Sequence, residues 1–143
     1  MKRCLADVNV FLALLVEDHE HHPTAMSWFN RLEPGEVHLC RFVQLGLVRL
    51  MGNRTVMGGK AVSASVAWDL IAGLMEDERV ELAAEPALID TVLPKMFRYS
   101  VPTNKLVSDG YLAAFAIAAS LRLVTFDNGF EQFHGIDLQR LHA

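Results

Sequence analysis

Short apolar runs alternate with helix-patterned segments along the whole chain, and this alternation constrains the fold more than any other feature. "KRCLA" (2–6), "EVHLC" (36–40), "RVEL" (79–82) and "RLVTF" (122–126) are too short for stable helices and read as strands. "GIDLQRL" (135–141) adds a short fifth. Between them lie segments with helical spacing: "VFLALLV" (10–16), "TAMSWFNRL" behind Pro23, "VQLGLVRLM" (43–51), "AVSASVAWDLIAGLM" (61–75) and "SDGYLAAFAIAASL" (108–121). Leu47 and Leu50 are expected on a core face, as are Val66, Leu70, Ile71 and Leu74 in the segment 61–75. "PALIDTVLPKMFRY" (86–99) is helical but kinked at Pro94. Glu33-Pro34-Gly35, Gly52-Asn53, Gly58-Gly59 and residues 101–107 punctuate the pattern, and Ser108 is placed to cap the last long helix. Alternating strands and helices predict right-handed crossovers. The fold class is therefore α/β, a three-layer α/β/α arrangement around a central, mostly parallel sheet of four to five strands.

The chain has 143 residues, the length of one domain, and a single domain over 1–143 is expected. Its 52% hydrophobic content allows a sizeable core. A net charge of −4 excludes a protein that holds nucleic acid by bulk charge alone, but not a local basic patch. Cys4 and Cys40 lie in apolar runs without a CxxC spacing and read as small buried hydrophobes, not a disulfide framework. Lys2 and Arg3 before "VFLALLV" imitate the start of a signal peptide, but Asp7 and Asn9 interrupt the apolar stretch. No run reaches the roughly 18 apolar residues of a membrane span. A soluble, cytoplasmic protein without a membrane partner is the expectation.

Three carboxylates carry the chemical signal. In an open parallel sheet, functional groups gather outside the carboxyl ends of the strands. Asp7 follows the first strand and Asp127 follows the fourth. Asp109 opens the helix before the fourth strand. That helix runs about 18 Å away from the rim. The return strand covers roughly 16 Å in the opposite sense, so Asp109 and Asp127 can share one edge. Asp7 joins them if its strand is a neighbour. Each acid also has a purely structural reading: Asp7 as a helix cap, Asp109 as a favourable charge at a helix start, and Asp127 in an Asp-Asn-Gly turn. Joint placement on one rim is what sets the three apart. Clustered carboxylates repel one another, and a hard divalent cation relieves that repulsion. Oxygen-only ligands suit Mg²⁺, with Mn²⁺ as a substitute, and such a cation supports phosphodiester hydrolysis by an activated water. Asn9, Thr125 and Asn128 flank the acids and are placed to orient them or their waters.

"LADVNVFLALL", "HHPTAMSWF" and "SDGYLAAFAIAASLRLVTFDNGF" together resemble a PIN-domain ribonuclease, and more closely the VapC-type toxins of toxin–antitoxin pairs. "HLCRFVQLGLVRLMGN" and "NKLVSDGYLAA" resemble the mycobacterial branch. The resemblance covers nearly the whole chain. It implies a PIN-like fold and a Mg²⁺- or Mn²⁺-dependent endoribonuclease that cleaves structured RNA. It also implies a cognate VapB-type antitoxin and a homodimer. Asp7 matches the family's first acid, Asp109 the third, Asp127 the fourth, and Asn9 the polar position two beyond the first. Asp7, Asp109 and Asp127 are thus the expected catalytic and metal-binding residues, with Asp127 acting directly or through a water. One departure stands out. Many PIN domains carry a Glu at the start of the helix after the second strand, where this chain has Gln44, an uncharged side chain expected to act around the metal through a bound water, with Glu36 or Glu17 as candidate substitutes for the acid. The number of metals, one or two, stays open on that account.

Three alternatives belong beside this reading. A catalytically weakened PIN domain acting mainly as a binding partner is compatible with Gln44. A receiver-like Mg²⁺-binding phosphoacceptor domain needs paired acids after the first strand and a Lys after the last, and the chain has Asp7-Val8-Asn9 and Asp127 there. A phosphatase with an Asp nucleophile needs a second Asp where Asn9 stands. "EDHEHH" (17–22) offers three imidazoles, read as a solvated loop leading into a helix, with His22 packing at its start. Arg41, Arg49, Arg54, Lys60, Lys95, Arg98 and Lys105 are scattered; some frame an RNA face and others are ordinary surface charge. Trp28 and Trp68 read as core or dimer-interface residues.

Overall fold

A strand buried on both faces must be apolar throughout, and β1 (Cys4–Ala6) meets that condition at every residue. It lies at the centre of a computed structural model that describes residues 2–98 and 102–142. The chain continues through α1 (Val8–Leu15), α2 (His22–Phe29), β2 (Val37–Cys40) and α3 (Arg41–Met51). The one-turn α4 (Arg54–Met57), α5 (Ala64–Met75), β3 (Val80–Ala83) and the one-turn α6 (Ile89–Val92) follow. The last elements are α7 (Leu106–Ala118), β4 (Arg122–Thr125) and β5 (Leu138–Arg140). The five strands run in the order β3-β2-β1-β4-β5, and every pairing is parallel. Helices cover the sheet in the predicted α/β/α layering.

This order has one consequence for the site. The chain builds outward from β1 to β2 and β3, then crosses back to lay β4 on the other side of β1. The crevice between β1 and β4 is therefore the topological switch point, where parallel α/β sheets leave room for ligands. The register pairs Ala6 with Val124, and the amide of Asp7 donates to the carbonyl of Val124 at 2.9 Å. Asp7 and Asp127 thus leave adjacent strands at the same edge. The required neighbour relation between their strands is met.

The core is continuous beneath this edge. Phe11, Leu47, Leu112, Phe115, Leu123 and Phe130 are almost wholly buried. Cys4 and Cys40 are buried free thiols, as expected, and burial pushes Cys4 up to about 12, which leaves it an inert hydrophobe. Gly110 allows α7 its close approach: a Cβ there would lie 2.4 Å from the Phe97 ring. The contact seats the first turn of α7, and with it the neighbouring Asp109.

Several local expectations need correction. Ser108 does not cap α7. The helix starts two residues earlier, with Lys105 at the cap position and no side-chain cap bond. Residues 106 and 107 therefore belong to the helix and not to the loop, and Val101 lies outside the described residues. In α5 the buried residues are Ala67 and Ile71, whereas Val66, Trp68 and Leu70 are exposed. Apolar residues wrap most of that helix, so periodicity alone does not select the face that tertiary packing buries. Trp28 is core, whereas Trp68 is exposed, which leaves it only the dimer-interface half of its reading. Gly58-Gly59 forms a single 3₁₀ turn, Gly58–Lys60, and not an open loop. The segment from 86 is broken as Pro94 predicts, into α6 and a 3₁₀ turn, Leu93–Phe97; its end at Tyr99 lies outside the described residues. His19, His21 and His22 are half-buried, not solvated: His22 Nδ1 meets the carbonyl of Ala13 at 2.7 Å, and His21 stacks on Phe126.

Candidate active site

Asp7 enters the site as the cap of α1. Its Oδ1 accepts from the amide of Val8 at 2.7 Å, and its Oδ2 accepts from the Thr125 hydroxyl at 2.8 Å. The structural reading of Asp7 as a cap is therefore true. It also leaves the carboxylate fixed at the rim, where a capping group and a ligand group are the same atoms. Thr125 is fully buried at the end of β4 and ties the site together. Its Oγ1 donates to Asp7, accepts from Asn9 Nδ2 at 3.3 Å and accepts from the amide of Asp127 at 3.0 Å. Asn9 completes the bridge by accepting from the amide of Phe126 at 3.3 Å. One hydroxyl and one carboxamide thus lock the ends of β1 and β4 in register. Two of the flanking residues read from the sequence, Asn9 and Thr125, are in contact.

Asp127 follows in the turn. Its Oδ1 accepts from the amide of Gly129 at 3.1 Å, the Asx-type bond that the Asp-Asn-Gly turn requires, and its Oδ2 is paired with the ammonium of Lys105. Asn128 is exposed and takes part through its backbone amide. Asp109 reaches the same place from the first turn of α7. A Cβ built on Gly129 would stand 3.4 Å from Asp109 Oδ2 and 3.6 Å from both Asp127 carboxylate oxygens. The bare glycine leaves open the space onto which these two acids face. Asp7, Asp109, Asn9 and Lys105 also line a cavity of about 220 Å³, together with Asn104, Ser108 and, from α3, Phe42, Gly46, Arg49 and Leu50.

Gln44 is placed differently. It is buried on α3, and its Oε1 accepts from Arg41 at 2.6 Å. The α3 residues that line the acid cavity are others, so this helix contributes no carboxylate beside Asp7 and Asp109.

The electrostatics express the crowding. Burial pushes the Asp7 carboxyl up, against the opposing pull of Thr125, the Val8 amide and Lys105. Asp109 is pushed up to about 6, first by burial and then by the charges of Asp7 and Asp127, with Lys105 opposing. Asp127 also loses solvent, but Lys105 and the amides of Gly129 and Asn128 outweigh that and hold it below the usual carboxylate range. Burial alone would lower the Lys105 ammonium; its pairing with Asp127 and the charges of Asp109 and Asp7 raise it instead.

The donor set fits a hard divalent cation: carboxylate oxygens, no sulfur or imidazole, and an open space beside Gly129 that a side chain would fill. Among the described residues, no three Asp, Glu, His or Cys side chains stand close enough together to hold a metal ion as they are placed. Asp7 is engaged by Thr125 and Asp127 by Lys105 in this arrangement. Two participants were not legible as such in the sequence. Lys105 counted among scattered basic residues, although its spacing of four from Asp109 on a helix places both on one face. Gly129 passed as a turn former.

Three carboxylates thus gather at the switch point of a parallel α/β sheet, and comparison with known proteins says which family builds such a site. The PIN domain family matches residues 4–136, and the chain belongs to that family. It is 37% identical to Ribonuclease VapC41 of Mycobacterium tuberculosis over 142 residues, covering 96% of this chain and 97% of that protein. Among solved structures, M. tuberculosis VapC20, described as a sarcin-ricin loop cleaving toxin, superposes with a TM-score of 0.65 at 17% identity over 95% of this chain and 98% of that one. DNA-bound VapBC from Salmonella typhimurium superposes with a TM-score of 0.67 at 17% identity, covering 98% of each chain. The resemblance read from the motifs is borne out, and the receiver-type and phosphatase-type alternatives fall with it. No helix among the described residues is long and apolar enough to cross a membrane.

Proposed function

We propose that this chain is an endoribonuclease dependent on Mg²⁺ or Mn²⁺ and acts as the toxin of a VapBC-type pair, with a VapB-type antitoxin as its partner and structured RNA as its substrate. The observation that carries the reading is the meeting of Asp7, Asp109 and Asp127 at the β1–β4 switch point, two of them facing the space left by Gly129. Relatives named ribonuclease VapC, matched over almost their full length, support it.

Asp7, Asp109 and Asp127 would hold the cation. When bound, it would supply Lewis-acid stabilisation of charge on the phosphoryl group and activation of a water for attack. The chain's own residues do the rest. Thr125 keeps Asp7 Oδ2 aimed by donating to it, and Asn9 keeps Thr125 in the rotamer that allows this. The amide of Gly129 keeps one oxygen of Asp127 in place. Among the described residues, Ser108 is the only Ser, Cys or His that lines the cavity, so no Ser–His or Cys–His pair stands there. Hydrolysis by water is the chemistry this set supports.

Asp109→Asn tests the assignment. The variant is expected to fold, to lose cleavage of structured RNA and to lose growth inhibition on induced expression. Retained Mg²⁺-dependent cleavage by Asp109→Asn would overturn it. Sequencing the ends of RNA cleaved in cells would identify the target.

A further inference from the structure

Lys105 pairs with Asp127 Oδ2, lines the cavity shared by Asp7 and Asp109, and acts electrostatically on all three acids. Among the described residues, no other Lys or Arg is bonded to any of the three. Arg41 is committed to Gln44, and Arg49 lines the same cavity without such a bond. The Lys105 side chain is 59% exposed while that of its partner Asp127 is 22% exposed, so Lys105 is the solvent-facing member of the pair at the cavity it lines. A lysine is a compact charge on a flexible stem of four carbons and can reorient without moving the backbone.

We propose that Lys105 is an exchangeable counter-ion: it neutralises the acids while the metal is absent, gives up Asp127 to the divalent cation, and then pairs its ammonium with the scissile phosphate at the cavity mouth. The proposal rests on the metal-dependent nuclease reading above. Electrostatics demands the exchange. A cation and an ammonium that share Asp127 repel one another, so Lys105 opposes metal binding as long as it stays. Once displaced, it lies beside the cavity where a phosphodiester anion would approach, and the attraction that held it to a carboxylate now holds it to phosphate. The same residue therefore weakens metal affinity and strengthens catalysis, two effects of opposite sign that a merely structural lysine would not produce.

The test uses the full chain. Calorimetric titration with Mn²⁺ alone is expected to show binding to Lys105→Met about tenfold tighter than to wild type, the scale of removing one nearby positive charge in a partly solvated site. Lys105→Arg keeps the charge and is expected to bind Mn²⁺ as wild type does. At saturating Mn²⁺, Lys105→Met is expected to cleave bulk structured RNA at least tenfold more slowly. Should Lys105→Met not fold, Lys105→Gln replaces it in both arms. Unchanged or weaker Mn²⁺ binding by the neutral variant overturns the counter-ion role. Tighter binding with undiminished cleavage overturns the transfer to phosphate. Wild type that binds Mn²⁺ but cleaves no RNA overturns the nuclease reading, while the titrations still decide the counter-ion. Wild type that binds no Mn²⁺ overturns both.

Discussion

Asp109 is 4% exposed, and its carboxyl is pushed from an ordinary 3.8 up to about 6. A carboxyl with a raised folded-state pKa binds its proton more tightly in the native chain than in the unfolded one. Its contribution to stability is therefore fully present below about pH 4 and is lost as pH rises toward and through about 6. The loss at pH 7.5 is the gap of about 2 between those values, at 1.36 kcal/mol each, or about 3 kcal/mol. Asn has the shape of the protonated side chain and does not titrate. Asp109→Asn should therefore stabilise the metal-free protein by up to about 3 kcal/mol at pH 7.5, a rise in melting temperature of roughly 10 °C for a chain of this size. The assay is urea unfolding of wild type and variant in EDTA at pH 7.5 and at pH 4. Comparing the two proteins at each pH cancels the opposite trend of Asp77 and Asp137, whose carboxyls are held low by basic partners. The variant's advantage should be large at pH 7.5 and near zero at pH 4. Added Mn²⁺ should then stabilise wild type and not the variant. A variant less stable than wild type at pH 7.5, or an advantage unchanged at pH 4, would refute the claim that burial, with the neighbouring carboxylates, strains the ionised Asp109.

Other perturbations separate the roles of neighbouring groups. Thr125→Val keeps the shape but removes the bond to Asp7 and strips partners from Asn9 and the Asp127 amide; it should cost roughly 1–3 kcal/mol in urea unfolding and slow cleavage at least tenfold. Gly129→Ala places a methyl 3.4 Å from Asp109 Oδ2 and should leave the fold intact while weakening Mn²⁺ binding several-fold by calorimetry; equal affinity would mean that the space beside Gly129 is not where the cation sits. Leu123→Ala empties a fully buried position on β4, beneath the acids, and should cost about 2–5 kcal/mol by the same denaturant assay.

Much of this molecule is determined locally. The central strand β1 follows from a short apolar run, because a strand dry on both faces has little other composition available to it, whereas the edge strands β3 and β5 carry exposed polar residues. Asp7 and Asp127 follow from where β1 and β4 stop, since an ionised side chain is costly inside a buried strand. Asp7, Asp109 and Asp127 were therefore readable as a rim from strand and helix lengths alone. The motifs around them named the family that the comparisons show. Tertiary structure decided what local pattern leaves degenerate. Helical periodicity admits either apolar face of α5, and packing chose Ala67 and Ile71 over Val66 and Leu70. Helix starts are set by the chain's approach as much as by cap residues, so α7 begins at Leu106 and Ser108 turns to the cavity. The bond from Thr125 to Asp7 spans 118 positions, and the pairing of Lys105 with Asp127 spans 22. The first depends on β4 lying beside β1 and the second on how α7 packs against β4, and both are properties of the folded chain that no window of sequence contains.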